Sequence, residues 1–191
     1  MSDATREESE EVTGIILDFL PHGRADDDRP RYQKRPLAHV LGEARFQLRE
    51  LGLADGADVN IGDRLSLEPP ESVIETSTLI GYDDLSSGAR SELEYVVEEI
   101  IEADEERFVD VYNEAQPITL RLHQLNLLPG IGEKLRNTIL DERKRGPFES
   151  FEDLEERISG LHDPKSILVD RIMEELRDES LKYRMFVRRE Q

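Results

Sequence analysis

Along residues 12 to 80 the apolar and β-branched positions come in short runs separated by turn residues, a pattern of strands rather than of helical turns. "VTGIILDFL" reads as a strand and "PHGRADDDRP" as a long polar loop. "RYQKRPLAHVLG" and "ARFQLRELGL" read as two further strands, "DGADVNIGDRLSL" as a turn leading into a strand, and "SVIETSTLIG" as the last. Four to five strands in about 70 residues predict a small closed β-barrel over residues 12–82. After Tyr82 the period lengthens to about 3.6. Leu93, Val96, Val97, Ile100 and Ile101 then share one helical face, while Glu92, Glu94, Glu98, Glu99 and Glu102 take the rest. "SELEYVVEEIIEADEERFVDVYNEA" is therefore one or two amphipathic helices, a connector over 83–116 that Pro117 ends.

Residues 117–191 predict a second, helical domain. "ITLRLHQL" reads as a short helix, "LPGIG" as a tight hairpin, and "EKLRNTILDERKRG" as a second helix closed by Gly146 and Pro147. The helix that starts after Gly132 points unpaired N–H groups and its positive dipole end out of the hairpin, which suits an anion. Gly130 and Gly132 let a phosphate oxygen approach the main chain and allow positive φ angles. Leu128 and Ile131 pack the hairpin onto its helices, and Lys134 and Arg136 add charge; with Pro129, Gly130 and Gly132 they are the candidate nucleic-acid-binding residues of the hairpin. The stretch "LPGIGEKLRNTIL" resembles the helix-hairpin-helix motif of DNA- and RNA-binding proteins that do not read sequence. A tight helical corner that binds nothing is the structural alternative. "FEDLEERI" and "SILVDRIMEELR" predict a second copy around residues 159–165, with Asp163 and Pro164 in place of Gly-Ile-Gly; it is read as a packing partner.

Charge sharpens this picture. The chain of 191 residues carries 44 acidic and 25 basic residues, a net charge of −19, and only five of the basic ones are lysines. Such a surface suits molar intracellular salt, where screening over about 3 Å at 1 M relieves self-repulsion. Three windows run against the background: residues 29–49 carry +5, 120–148 carry +3 and 182–189 carry +4, so the other 133 residues carry −31. Basic islands on an anionic body are the electrostatic footprint of a nucleic-acid binder, although internal pairing of those arginines would also account for them. In the first island Arg31, Lys34 and Arg35 flank Tyr32, a pairing of backbone charge with a stacking ring. The first eleven residues, "MSDATREESEE", read as a disordered acidic tail.

Catalytic and metal chemistry find little support. Cysteine is absent, which excludes disulfides, thiol catalysis and cysteine-ligated zinc. His22, His39, His123 and His162 are scattered without metal-ligand spacing, and "ADDDR" at 25–29 reads as a solvated loop. No cofactor and no metal are expected. Apolar runs such as "GIIL" are too short to span a bilayer and no secretion signal opens the chain, so a cytoplasmic protein with no membrane role is expected.

The segments "DFLPHG", "RYQKRPLAHVLGEARFQLREL", "SELEYVVEEI", "RFVDVYNEAQPITLRLHQLNLLPGIG", "FESFEDLEERI" and "KYRMFVR" together resemble the archaeal domain-of-unknown-function 655 family, from about residue 12 to 189. The resemblance implies an α+β fold in which a small OB-like β-barrel precedes a helix-hairpin-helix domain, and an RNA-binding role with ribosomal or other translation partners. It brings no catalytic residue. "IGDRLSL" is similar to the turn-then-strand element of OB-type barrels, which present a basic and aromatic face to oligonucleotides. The expectation is a non-catalytic protein that binds an RNA or DNA backbone. Its alternative is a protein interaction module in which the hairpin is a structural corner.

Overall fold

The computed structural model describes residues 11–189. They divide into two compact units, one formed by the residues up to Val96 with those from Phe186 onward, the other by Val97–Met185.

In the first unit β1 (Thr13–Leu20), β2 (Leu37–Gly42), β3 (Leu48–Leu53), β4 (Arg64–Ser66) and β5 (Ile74–Leu79) form one antiparallel sheet of order β4-β1-β2-β3-β5, curled into a half-barrel. All five strands fall within the segments that the apolar pattern marks. Closure does not follow: β4 and β5 are edges of the sheet, with no ladder between them among the described residues. The cause lies in both strands. β4 has three residues and runs into Pro69 and Pro70, which lack ladder donors, and Glu75 to Thr78 of β5 are exposed and polar with no apolar face to bury. Register slips by one residue at Leu17 of β1. That bulge buries Ile15, Ile16 and Leu17 in succession, with Ile16 joining Ala38, Val40, Leu51, Leu53, Val59 and Leu65 in the core.

The β2–β3 turn is closed from a distance. Glu11, 7% exposed, accepts hydrogen bonds from the N–H groups of Ala44 at 2.6 Å, Arg45 at 2.9 Å and Gln47 at 3.4 Å. Gly42 makes room for it, since a Cβ there would lie 2.0 Å from the Glu11 carboxyl carbon. Of the expected acidic tail, residues 1–10 lie outside the described residues, and Glu11 is this buried cap. The segment "RYQKRPLAHVLG" is a strand only in its second half. Arg31–Gln33, between Pro30 and Pro36, is a single 3-10 turn, because those prolines and the turn bonds Gln33 N to Pro30 O and Lys34 N to Arg31 O keep it off the sheet.

The boundary between the units falls within α1 (Ser87–Ala103). The second unit continues with α2 (Glu105–Glu114), α3 (Glu133–Arg143), α4 (Phe151–Arg157) and α5 (Pro164–Arg177). Two amphipathic helices with a break at Asp104 thus stand where one or two were expected. Phe108, Tyr112, Leu125, Leu128, Ile139, Leu154, Leu168 and Ile172 are buried, and the Tyr112 hydroxyl donates to the Pro164 carbonyl at 2.7 Å. The segment "ITLRLHQL" departs from expectation: it is not an α-helix. Pro117–His123 is a hydrogen-bonded loop, followed by a 3-10 turn over Gln124–Leu127. The Thr119 hydroxyl accepts from the N–H groups of Arg121 and Leu122, giving the backbone a local partner in place of the helical one.

Candidate nucleic-acid interface

The first candidate surface lies on the β1–β2 connection. Tyr32 sits on the Arg31–Gln33 turn at 83% exposure, and its hydroxyl accepts a hydrogen bond of 3.3 Å from the Gln33 amide. The basic island around it is thinned by internal pairing. Arg35 is bound to Glu75; Arg29 grips Asp27 through both Nε and Nη2; Arg49 donates to Ser77 and Gln47. Arg29 pulls the Asp27 carboxyl down to about 2, so the middle acid of "ADDDR" is committed to that arginine. Arg31 and Lys34 keep side chains with no bonded partner among the described residues. The sequence's quartet Arg31, Tyr32, Lys34 and Arg35 is therefore a trio plus a structural arginine.

Histidines separate in the same way. His39 is buried, with Nε2 3.1 Å from Glu50 Oε2 and Nδ1 accepting from the Ser86 N–H, so it is a satisfied core group and not a phosphate contact. The Ser86 hydroxyl in turn donates to Asp18 at 2.6 Å and accepts from Ala89 N–H, capping α1. His22 and His162 are exposed. Among the described residues no three histidine, aspartate or glutamate side chains are placed to hold a metal ion.

The second candidate surface is the turn before α3. Leu128 and Ile131 are buried, Pro129 and Gly130 are exposed, and the Ile131 N–H closes the turn on the Leu128 carbonyl at 3.2 Å. Gly130 has φ +79°, a conformation that favours glycine. Gly132 differs from expectation: at φ −88°, ψ −170° it is extended backbone that any residue adopts, and a Cβ there would meet nothing within 4 Å. As the N-cap residue of α3 it supplies no capping side chain. By contrast, Ser150 caps α4 by accepting from Asp153 N–H, and Asp163 caps α5 by accepting from Ser166 N–H. The first turn of α3, which also holds Glu133, thus presents backbone donors that no N-cap side chain meets, beside the exposed Lys134, whose side chain has no bonded partner among the described residues.

Asn126 ties this turn together. Its Nδ2 donates to the Ile131 carbonyl, and its Oδ1 accepts from His123 N–H at 3.1 Å and from Arg136 Nη1 at 3.0 Å. Arg136 is thereby fixed without losing its charge to a carboxylate. His123 caps the Gln124–Leu127 turn through Nδ1, which accepts from Leu125 N–H at 3.1 Å. Burial holds the His123 imidazole below its usual range, with Arg143 and Arg136 adding repulsion, so the neutral form needed for that bond is favoured. Arg143 donates to the carbonyls of Tyr112 and Ala115 and closes the end of α2.

A second turn of the same construction follows at Ile158–Leu161. Gly160 has φ +91°, Leu161 N–H closes on the Ile158 carbonyl at 3.3 Å, and Ile158 and Leu161 are buried like Leu128 and Ile131. The glycine read as missing is Gly160; Asp163 and Pro164 belong instead to the start of α5. The pairing of "LPGI" with "ISGL", thirty residues apart, is the signal that would have found it. The third basic island is largely structural: Arg184 donates to the carbonyls of Glu175 and Asp178, and Lys182 lies over the Tyr183 ring, whereas Arg188 is exposed.

Residues 10–188 match the family described as protein of unknown function DUF655. The chain is 39% identical over 176 residues to the uncharacterized protein MJ0038 of Methanocaldococcus jannaschii, an alignment covering 91% of this chain and 78% of that one. The crystal structure of Af1531 from Archaeoglobus fulgidus is similar with a TM-score of 0.84 and 40% identity, covering 93% of this chain and 100% of the other. Both relatives are archaeal.

Proposed function

The chain belongs to the DUF655 family, and from that premise we propose that it is a non-catalytic nucleic-acid-binding protein, with RNA as its target. The observation that carries this reading is the uncapped first turn of α3 beside Lys134 and Arg136, in a chain of net charge −19 whose next two helices are capped by Ser150 and Asp163. A phosphate takes the place of the missing cap. Two further features support it. The paired turns Leu128–Ile131 and Ile158–Leu161, each leading into a helix, fit a helix-hairpin-helix unit whose first helix is reduced to a 3-10 turn. The strand order β4-β1-β2-β3-β5 fits a five-stranded Greek-key barrel of OB type left open between β4 and β5. In such barrels the connection between the first two strands reaches oligonucleotides, and here that connection carries Arg31, Tyr32 and Lys34. The preference for RNA and for translation partners in the cytoplasm rests on the family resemblance, and the acid-rich, lysine-poor composition supports work at molar salt.

One observation favours the interaction-module alternative. The Ile158–Leu161 turn keeps the same geometry with an aspartate at the helix start, so the turn serves packing without an anion. Gly132 separates the two readings because it accepts a side chain without strain. Gly132→Asp supplies the missing cap, holding or raising stability by up to about 1 kcal/mol, and puts a carboxylate where the phosphate would sit. The expected result is unchanged or higher thermal stability with RNA affinity at least about tenfold lower, and a smaller loss for Gly132→Ser. Unchanged affinity in a folded Gly132→Asp protein makes the turn structural only.

A further inference from the structure

Leu120 stands at 106% exposure at the tip of the Pro117–His123 loop. A lone surface leucine needs no explanation, but this one is held out by a dense set of bonds. Ile118 N–H and Thr119 N–H both donate to the Leu122 carbonyl, at 2.8 and 2.9 Å, and the Thr119 hydroxyl accepts from Arg121 and Leu122 N–H. Below them Gln124 N–H donates to the Gln116 carbonyl, and Gln116 N–H to the Gln124 side chain at 2.8 Å. A loop so braced presents its tip at little conformational cost on binding. Its base is fixed to the α3 turn, because His123 bonds to Asn126, which bonds to Ile131 and Arg136.

The charge around the tip indicates what it meets. No acidic residue occurs from Ala115 to Gly132, the longest acid-free stretch in a chain with 44 acids. Arg121, next to Leu120, has a side chain with no bonded partner among the described residues, and Lys134 likewise. An apolar tip beside the free Arg121, in a stretch of chain without acidic residues, is complementary to a polyanion whose interior is apolar. Apolar side chains wedged between base steps are a known way of gripping such a polymer.

We propose that the Pro117–His123 loop is a wedge whose Leu120 enters an opened base step of a nucleic-acid helix while Arg121 takes the adjoining phosphate. This rests on the nucleic-acid reading above and adds to it the form of target: a helix with a bulge or other weak step, where unstacking costs least. Duplex RNA and duplex DNA offer the same chemistry, so both enter the test.

The probe is a bulged RNA stem with 2-aminopurine beside the bulge, together with a DNA hairpin of the same sequence and an unpaired RNA strand. Wild-type protein is expected to raise the 2-aminopurine signal on binding, and the larger rise identifies the preferred nucleic acid. Leu120→Ala removes no buried contact, so its melting temperature should be unchanged. Its affinity for the bulged stem should fall about tenfold, with little change for the unpaired strand. Leu120→Phe should restore both signal and affinity. Equal affinity and equal unstacking by wild type and Leu120→Ala overturn the wedge while leaving the nucleic-acid reading intact. Loss of a protein partner in Leu120→Ala, with RNA affinity unchanged, also overturns it and gives the loop to that protein. Wild-type protein that binds none of the three probes removes both readings together.

Discussion

His123 and His39 show what a residue's neighbours decide. Both are buried and both accept an N–H bond at Nδ1, from Leu125 and Ser86 respectively. For His123 the consequence is a pH dependence of known sign. Its folded pKa lies below the unfolded value of about 6.5, so between the two the unfolded chain binds more protons and stability rises with pH. The stabilisation is fully present above about pH 6.5 and is lost as pH falls through the folded value. Asparagine keeps a capping acceptor without titrating. Urea midpoints should therefore agree for wild type and His123→Asn near pH 8, and wild type should fall behind by up to about 1 kcal/mol below pH 6. A gap that widens with rising pH contradicts this. None of it was legible in four scattered histidines, since spacing excludes a metal set but says nothing of which ring is buried against a backbone N–H. The basic islands have the same limit: charge is written in the sequence, and the partners that consume Arg29, Arg35 and Arg49 come from folding.

At the scale of elements, period proved a sound guide and closure did not. The five strands and the α1–α2 pair lie where apolar spacing marks them, because burial of one face imposes that spacing. The open edge between β4 and β5 depends on strand length and on two prolines, which a count of strands does not weigh. "ITLRLHQL" carries helical spacing but is too short to hold a helix against the local bonds of Thr119. Gly42 was also silent, because its role depends on Glu11, thirty-one residues earlier. Gly42→Ala should displace the Glu11 carboxylate from the three N–H groups of the β2–β3 turn and cost about 1–3 kcal/mol in denaturant unfolding. Glu11→Ala frees that space, so the double substitution should cost clearly less than the two single ones added. Strict additivity would mean that Glu11 does not hold the turn.

For the whole molecule the decisive quantity is how many cations remain free to meet phosphates. The three islands hold sixteen basic residues, and phosphate contacts by all of them would give a slope of log affinity on log salt of about −11, at about −0.7 per contact on single strands. Arg31, Lys34, Arg121, Lys134 and Arg188 have side chains with no bonded partner among the described residues, and Arg136 is bonded only to neutral amides, so six phosphate contacts lower the expected slope to about −4. The remainder of the binding falls to the backbone donors at the start of α3 and to Tyr32, whose contributions do not release counterions. The most direct measurement is the affinity of the wild-type protein for a single-stranded RNA from about 0.2 to 2 M KCl. The expected result is a shallow slope near −4 and binding that is still measurable at about 2 M. A slope close to −11, or loss of all RNA binding above about 0.5 M while a protein partner is retained at 2 M, would contradict it.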